Sequence, residues 1–195
     1  MKKIILLFLI GALTVNSYAQ SNSLTAGIGL LNAKVRVQFE HGFADMHSTG
    51  VNLGYYLENW TGPRAEAFYR IYFGGDNEKG VFMQASAGAG MFSYALDDEN
   101  LTFTVNSVEY NTYTDANSWT TLGGGIALGG KMTSRGGFVF ESSMGFQLWT
   151  EPPSNSSDDY NDYGGDFLDA VETVGYYVVG PGFPLHFQVK FGYNF

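Results

Sequence analysis

The chain has 195 residues, 26 of them Gly and none Cys, with 15% charged and 16% aromatic residues and a formal net charge of −9. That length bounds one domain or two small ones, and the apolar and aromatic content is too high for a disordered chain. Ten Lys and Arg against nineteen Asp and Glu leave no basic footprint for nucleic acid, and a chain without Cys has no disulfide framework, thiolate nucleophile or cysteine zinc site.

Lys2 and Lys3 precede an apolar run from Ile4 to Val15, interrupted only by Gly11 and Thr14, and Ser17-Tyr18-Ala19 then puts small residues at a cleavage position. Residues 1–19 therefore read as a secretory signal peptide. The run of twelve is too short for a membrane helix, which needs ~20 apolar residues. Cleavage before Gln20 leaves residues 20–195 as the working domain, 176 residues with eight basic against nineteen acidic side chains, a net charge of −11.

Along this domain apolar and polar residues alternate with period 2 in stretches separated by polar or Gly-rich breaks, the pattern of half-buried strands. Eight strands are expected, at Ser23–Leu30, Lys34–Phe43, Thr49–Glu58, Arg64–Phe73, Gly80–Tyr94, Ser118–Met132, Gly136–Trp149 and Leu185–Phe195. In the second, Val35, Val37, Phe39, His41 and Phe43 alternate with Lys34, Arg36, Gln38, Glu40 and Gly42, and the last repeats the pattern from Leu185 to Phe195. The implied fold is all-β, an eight-stranded antiparallel up-and-down barrel.

A membrane barrel is apolar outside and polar inside; a soluble carrier barrel has the opposite phase. Three features favour the first. The connections alternate between short ones (Ala44–Ser48, Gly74–Lys79, Thr133–Arg135) and long ones (Ala95–Asn117, Thr150–Pro184), as in transmembrane barrels. Aromatics gather near strand ends, at Tyr55, Tyr56, Trp60, Tyr72, Phe73, Tyr94, Trp119, Trp149 and Tyr193, where an interfacial girdle is expected. The chain ends Phe191-Gly192-Tyr193-Asn194-Phe195. On that ending the sequence resembles the small outer-membrane β-barrels of Gram-negative bacteria, the OmpA/OmpX-like group. Val37-Gln38-Phe39-Glu40, Tyr69-Arg70-Ile71-Tyr72-Phe73 and Lys79-Gly80-Val81-Phe82 are similar to the poorly characterised barrels of this type in Bacteroidota. The resemblance implies the cell outer membrane as location, its lipid as surroundings, and Tyr193 and Phe195 as a signal read by the barrel-assembly machinery. Lys190 stands where that signal favours Gly.

The alternation points Lys34, Arg36, Arg64, Arg70 and Lys190 into the barrel with Glu40, Glu66, Glu141 and His186. Buried charges must be paired or hydrated, and eight strands leave an interior only wide enough for side chains, so a charge-paired plug is expected. His41, His47 and His186 have no metal-binding spacing. His47-Ser48 falls in a short turn, while Glu141, His186 and Ser143 offer the elements of a base–carboxylate pair with a nearby hydroxyl. Gly123-Gly124-Gly125 and Gly129-Gly130 lack the Lys-Ser/Thr ending and the helix of a phosphate loop.

Twelve of the nineteen acidic residues, and no Lys or Arg, lie in 95–117 and 150–184. Asp158, Asp159, Asp162 and Asp166 are oxygen ligands of the kind Ca²⁺ takes, though not at the spacing of an EF-hand loop; no other cofactor is expected. Within the first loop Leu101–Val105 and Val108–Thr114 suggest a hairpin that extends the barrel. Within the second Asp166 is placed to cap a short helix carrying Phe167, Leu168, Val171 and Val174 and ended by Gly175. The favoured function is non-enzymatic and porin-like in fold: envelope integrity, or binding of an extracellular partner through these loops. The alternatives are a lipid-modifying enzyme and a carrier for a small hydrophobic compound.

Overall fold

The computed structural model describes residues 21–29, 34–57, 60–74, 79–94, 101–105, 108–112, 118–151, 173–178 and 180–195, with 94 and 101–112 described by backbone alone. The expected signal peptide (1–19), Asp158, Asp159, Asp162, Asp166 and most of the two acidic loops lie outside them.

Eight strands close into one antiparallel barrel: β1 (Asn22–Gly29), β2 (Lys34–Ala44), β3 (His47–Tyr56), β4 (Trp60–Phe73), β5 (Gly80–Tyr94), β8 (Ser118–Thr133), β9 (Phe138–Trp149) and β10 (Leu185–Asn194). Each pairs with its neighbour along the chain, since β6 (Leu101–Val105) and β7 (Val108–Thr112) form a separate two-stranded hairpin inside the β5–β8 connection. That hairpin was expected to extend the barrel; its ladder is its own. The seam between β1 and β10 pairs Ser23 with Asn194, and the Asn22 and Phe195 backbones exchange hydrogen bonds of 2.9 and 2.7 Å across it.

Four strand starts differ from expectation: β1 begins one residue early at Asn22, β9 two residues late at Phe138, and β3 and β4 begin early. The strand β3 begins at His47, because only Asp45 and Met46 form the turn and a bulge between Gly42 and Ala44 absorbs the register. The strand β4 begins at Trp60, four residues early. The strand runs through Gly62 and Pro63 with the β4–β5 register unchanged on either side and no β4–β5 pair at those two positions. Proline lacks the ladder N–H but its φ fits an extended chain.

Parity then sorts every side chain. On β2 the even residues Lys34, Arg36, Gln38 and Glu40 are buried in the lumen, and odd residues such as Val35 and Val37 face out. The same inversion runs round the barrel: Leu24, Leu53, Phe73, Val81, Ile126, Met144, Leu185 and Phe191 are exposed while Gln84, Glu141 and Lys190 are buried. The core is therefore the lumen, and it is polar. Packing of lumenal rings against neighbouring strands needs positions without side chains: a Cβ on Gly50 would lie 2.5 Å from the ring of Phe68, its partner on β4. No helix among the described residues is long and apolar enough to cross a membrane.

The two barrel ends differ. The β2–β3, β4–β5 and β8–β9 turns share one end with both described chain ends; the other carries the longer connections.

Candidate functional site: a charged lumen beneath an aromatic cap

The lumen holds two ionic clusters. Nearer the short turns, Arg70 of β4 is fully buried at the centre of the first. Its guanidinium donates to Glu141 Oε1 at 2.6 Å and Oε2 at 2.9 Å, to Glu40 Oε2 at 2.9 Å, to Gln84 Oε1 at 2.8 Å and to Gln38 Oε1 at 3.2 Å. It also lies 4.0 Å from the Phe82 ring centre. Lys190 reaches Glu141 Oε1 at 2.5 Å and Gln38 Oε1 at 2.6 Å. Lys131 reaches Glu40 Oε2 at 3.2 Å, and Ser48 and Tyr72 each donate to Glu40 Oε1 at 2.6 Å. Three cations thus share two carboxylates, each carboxylate accepting from several strands. Charge-assisted bonds of this density order side chains that would otherwise cost heavily to desolvate.

Nearer the loops, Glu66 of β4 pairs with Arg64 on its own strand and with Arg36 of β2, the latter at 3.4 Å. Arg64 donates to Tyr56 Oη at 2.8 Å and Gln147 Oε1 at 2.9 Å, and its guanidinium carbon sits 3.5 Å from the Trp149 ring centre. Lys34 donates to the same Tyr56 hydroxyl at 3.2 Å. Here three cations, Lys34, Arg36 and Arg64, meet one carboxylate, so aromatic faces and hydroxyls take up what the ion pair does not.

Above this cluster Tyr56, Trp60, Phe92, Trp119, Trp149 and Tyr176 pack as a buried aromatic layer. Trp60 meets Trp119 edge-on at 5.5 Å and Tyr176 at 5.6 Å between ring centres. Tyr176 comes from a short helix, α1, at 173–178, in the β9–β10 connection, and its hydroxyl donates to the Thr150 carbonyl at 2.9 Å. The chain after it is close-packed, since a Cβ on Gly182 would lie 2.2 Å from the Tyr176 ring. Gln147 Nε2 fastens the far side by donating to the Phe183 carbonyl at 2.7 Å. Burial pushes the Tyr176 hydroxyl up to about 12, and burial with the Glu151 carboxylate beside it also raises Tyr177.

Several sequence expectations change. Of the supposed interfacial aromatics, Tyr55, Phe73 and Tyr193 face outward, whereas Tyr56, Trp60, Tyr72, Trp119 and Trp149 have lumenal parity and pack inside. Glu141 and His186 do not form a pair: the β9–β10 register sets Lys190 against Glu141 and Gly145 against His186. Glu141 is committed to Arg70 and Lys190, and His186 Nδ1 has no hydrogen-bond partner among the described residues. Ser143 stands opposite Gln188. Gly175 does not end α1, which continues to residue 178; Asp166 lies outside the described residues. Lys131 joins the lumenal cations expected from the sequence, its parity with Thr121 and against Leu128 and Met132 placing it in the lumen. His47 binds Tyr69 Oη at 2.8 Å on the outer face, and His41 binds Asn22 at 2.7 Å. No cluster of three potential metal ligands occurs among the described residues.

No protein-family model matches the chain, and no curated protein matches it. A solved structure similar to it is the N-terminal β-barrel domain of Pseudomonas aeruginosa OprF, at 13% identity and a TM-score of 0.45, covering 90% of this chain and 96% of that domain.

Proposed function

We propose that this chain is a non-enzymatic protein of the cell outer membrane, exported by its first nineteen residues and spanning the bilayer as a plugged barrel that presents two acidic loops to the exterior. The observation that carries this reading is the inversion of polarity. Six cations and three carboxylates are buried in the lumen, while large apolar side chains on all eight barrel strands are exposed. In water such a belt is an aggregation surface; in hydrocarbon it is solvated. Strands of 8 to 16 residues suit a span that takes ~9–11 tilted residues. The packed lumen favours a role in envelope integrity or surface binding over transport of a hydrophobic compound, which needs an apolar cavity. Lumenal hydrogen bonds that occupy both Glu40 and Glu141 favour a structural part for them over acid–base chemistry.

The test is fractionation and refolding. The protein should be extracted only with detergent, should migrate faster on gels unheated than boiled, and should show no large stable conductance in planar bilayers. Recovery as a soluble periplasmic monomer would overturn the proposal.

A further inference from the structure

The outer face of the barrel is indented where β5, β8 and β9 run together toward the short turns. Gly130 of β8 pairs with Val81 of β5 on one side and with Ser142 of β9 on the other. A Cβ built on Gly130 meets no atom within 4 Å, so it marks a true gap in the outward row of side chains. The hollow measures about 480 Å³; Val81, Met132 and Phe140 make its apolar walls and Lys79 borders it. Ser142 adds a hydroxyl to the same surface.

The distribution of cations singles out this place. Of the eight Lys and Arg in residues 20–195, six are buried in the lumen. The other two, Lys79 and Arg135, are exposed at the short-turn end. Lys79 stands beside the hollow, and Arg135 lies in the β8–β9 turn two residues past Thr133, the end of the strand that carries Gly130. An apolar trough with one exposed cation on its border and a second in the adjoining β8–β9 turn matches the charge order of an anionic phospholipid, whose chains lie in hydrocarbon and whose phosphate lies at the interface.

We infer that this hollow binds one anionic phospholipid of the inward-facing leaflet, with an acyl chain laid over Gly130 and the phosphate held by Lys79 and Arg135. The inference rests on the bilayer-spanning reading above. A second consequence follows from the open space at Gly130: a Cβ there meets no atom within 4 Å, so a larger side chain can grow from it into the trough.

Native mass spectrometry of the refolded protein in detergent, with phosphatidylglycerol or phosphatidylcholine added, tests it. Two surface cations favour the anionic lipid roughly thirtyfold. K79Q/R135Q should bring the two lipids to parity, and Gly130→Phe should abolish retention of phosphatidylglycerol while keeping the gel shift of a folded barrel. Inorganic phosphate should not displace the lipid, since it has no chain to fill the trough. Equal retention of both lipids by the unaltered protein overturns the inference, as does retention by a folded Gly130→Phe variant or displacement by phosphate. Should Gly130→Phe not fold, the charge variant decides alone. A protein that shows no gel shift and does not insert into vesicles refutes the membrane reading, whereas an inserted barrel without lipid preference refutes only the groove.

Discussion

Replacing Glu141 by Gln removes one negative charge from the most crowded part of the lumen without changing its shape. Glu141 is fully buried, holds Arg70 through both oxygens at 2.6 and 2.9 Å, and holds Lys190 at 2.5 Å. After the change Arg70 and Lys131 would keep Glu40, while Lys190 would lose the carboxylate it pairs with and keep the Gln38 oxygen. Breaking a dry ion pair from one side costs about 3–5 kcal/mol, because the partner charge stays buried. The Gln carbonyl can still accept from Arg70, which places the expected loss near the lower end, about 3 kcal/mol. Urea unfolding in detergent micelles, followed by far-ultraviolet circular dichroism and the gel shift, should then show a midpoint lower by roughly 1–3 M at unchanged slope. Adding Lys190→Met removes one stranded cation and should recover about half of the loss. A Glu141→Gln midpoint equal to that of the parent protein would mean that these charges are hydrated, and the packed-plug argument would fail.

Three further outcomes are expected. Deleting Phe195 removes two backbone hydrogen bonds across the β1–β10 seam, about 1–3 kcal/mol, and the terminal aromatic; surface levels should fall, and unchanged levels would count against a role in assembly. The neutral Tyr176 hydroxyl is favoured in the folded cap, so its contribution is complete below the ordinary tyrosine value of about 10 and is lost as pH rises through about 12. All three Trp residues of the chain belong to that cap, so their fluorescence should change in this window, and Tyr176→Phe, which keeps the ring but loses the Thr150 bond, should abolish the step. Removing residues 154–165 should leave the barrel's gel shift intact while eliminating any Ca²⁺ heat in calorimetry; equal heats from both forms would place cation binding elsewhere.

Alternation is a local property, and it is why the strand set, the two faces and the lumenal address of Arg36, Glu40, Arg64, Glu66, Arg70, Glu141, His186 and Lys190 were legible from the amino acids alone. Lys131 has the same lumenal parity, but the glycine runs at 123–125 and 129–130 interrupt the alternation of its strand. Which charges meet was not legible. Glu141 and His186 share a face on adjacent strands, but a shift of four residues in register puts Lys190 opposite the carboxylate instead. Arg70 meets Glu141 across the lumen, from strands far apart in the chain, and that contact depends on strand stagger and barrel closure. The aromatic cap shows the same division. Clustering of Tyr56, Trp60, Trp119 and Trp149 near strand ends is written in the sequence, but whether a ring faces lipid or lumen turns on a single step of parity. That these rings enclose Tyr176 follows from the placement of α1 against them. Period and composition act within a few residues and decide which face each side chain takes. Partners across a closed sheet are fixed by registers summed around eight strands, and only the tertiary structure carries that sum.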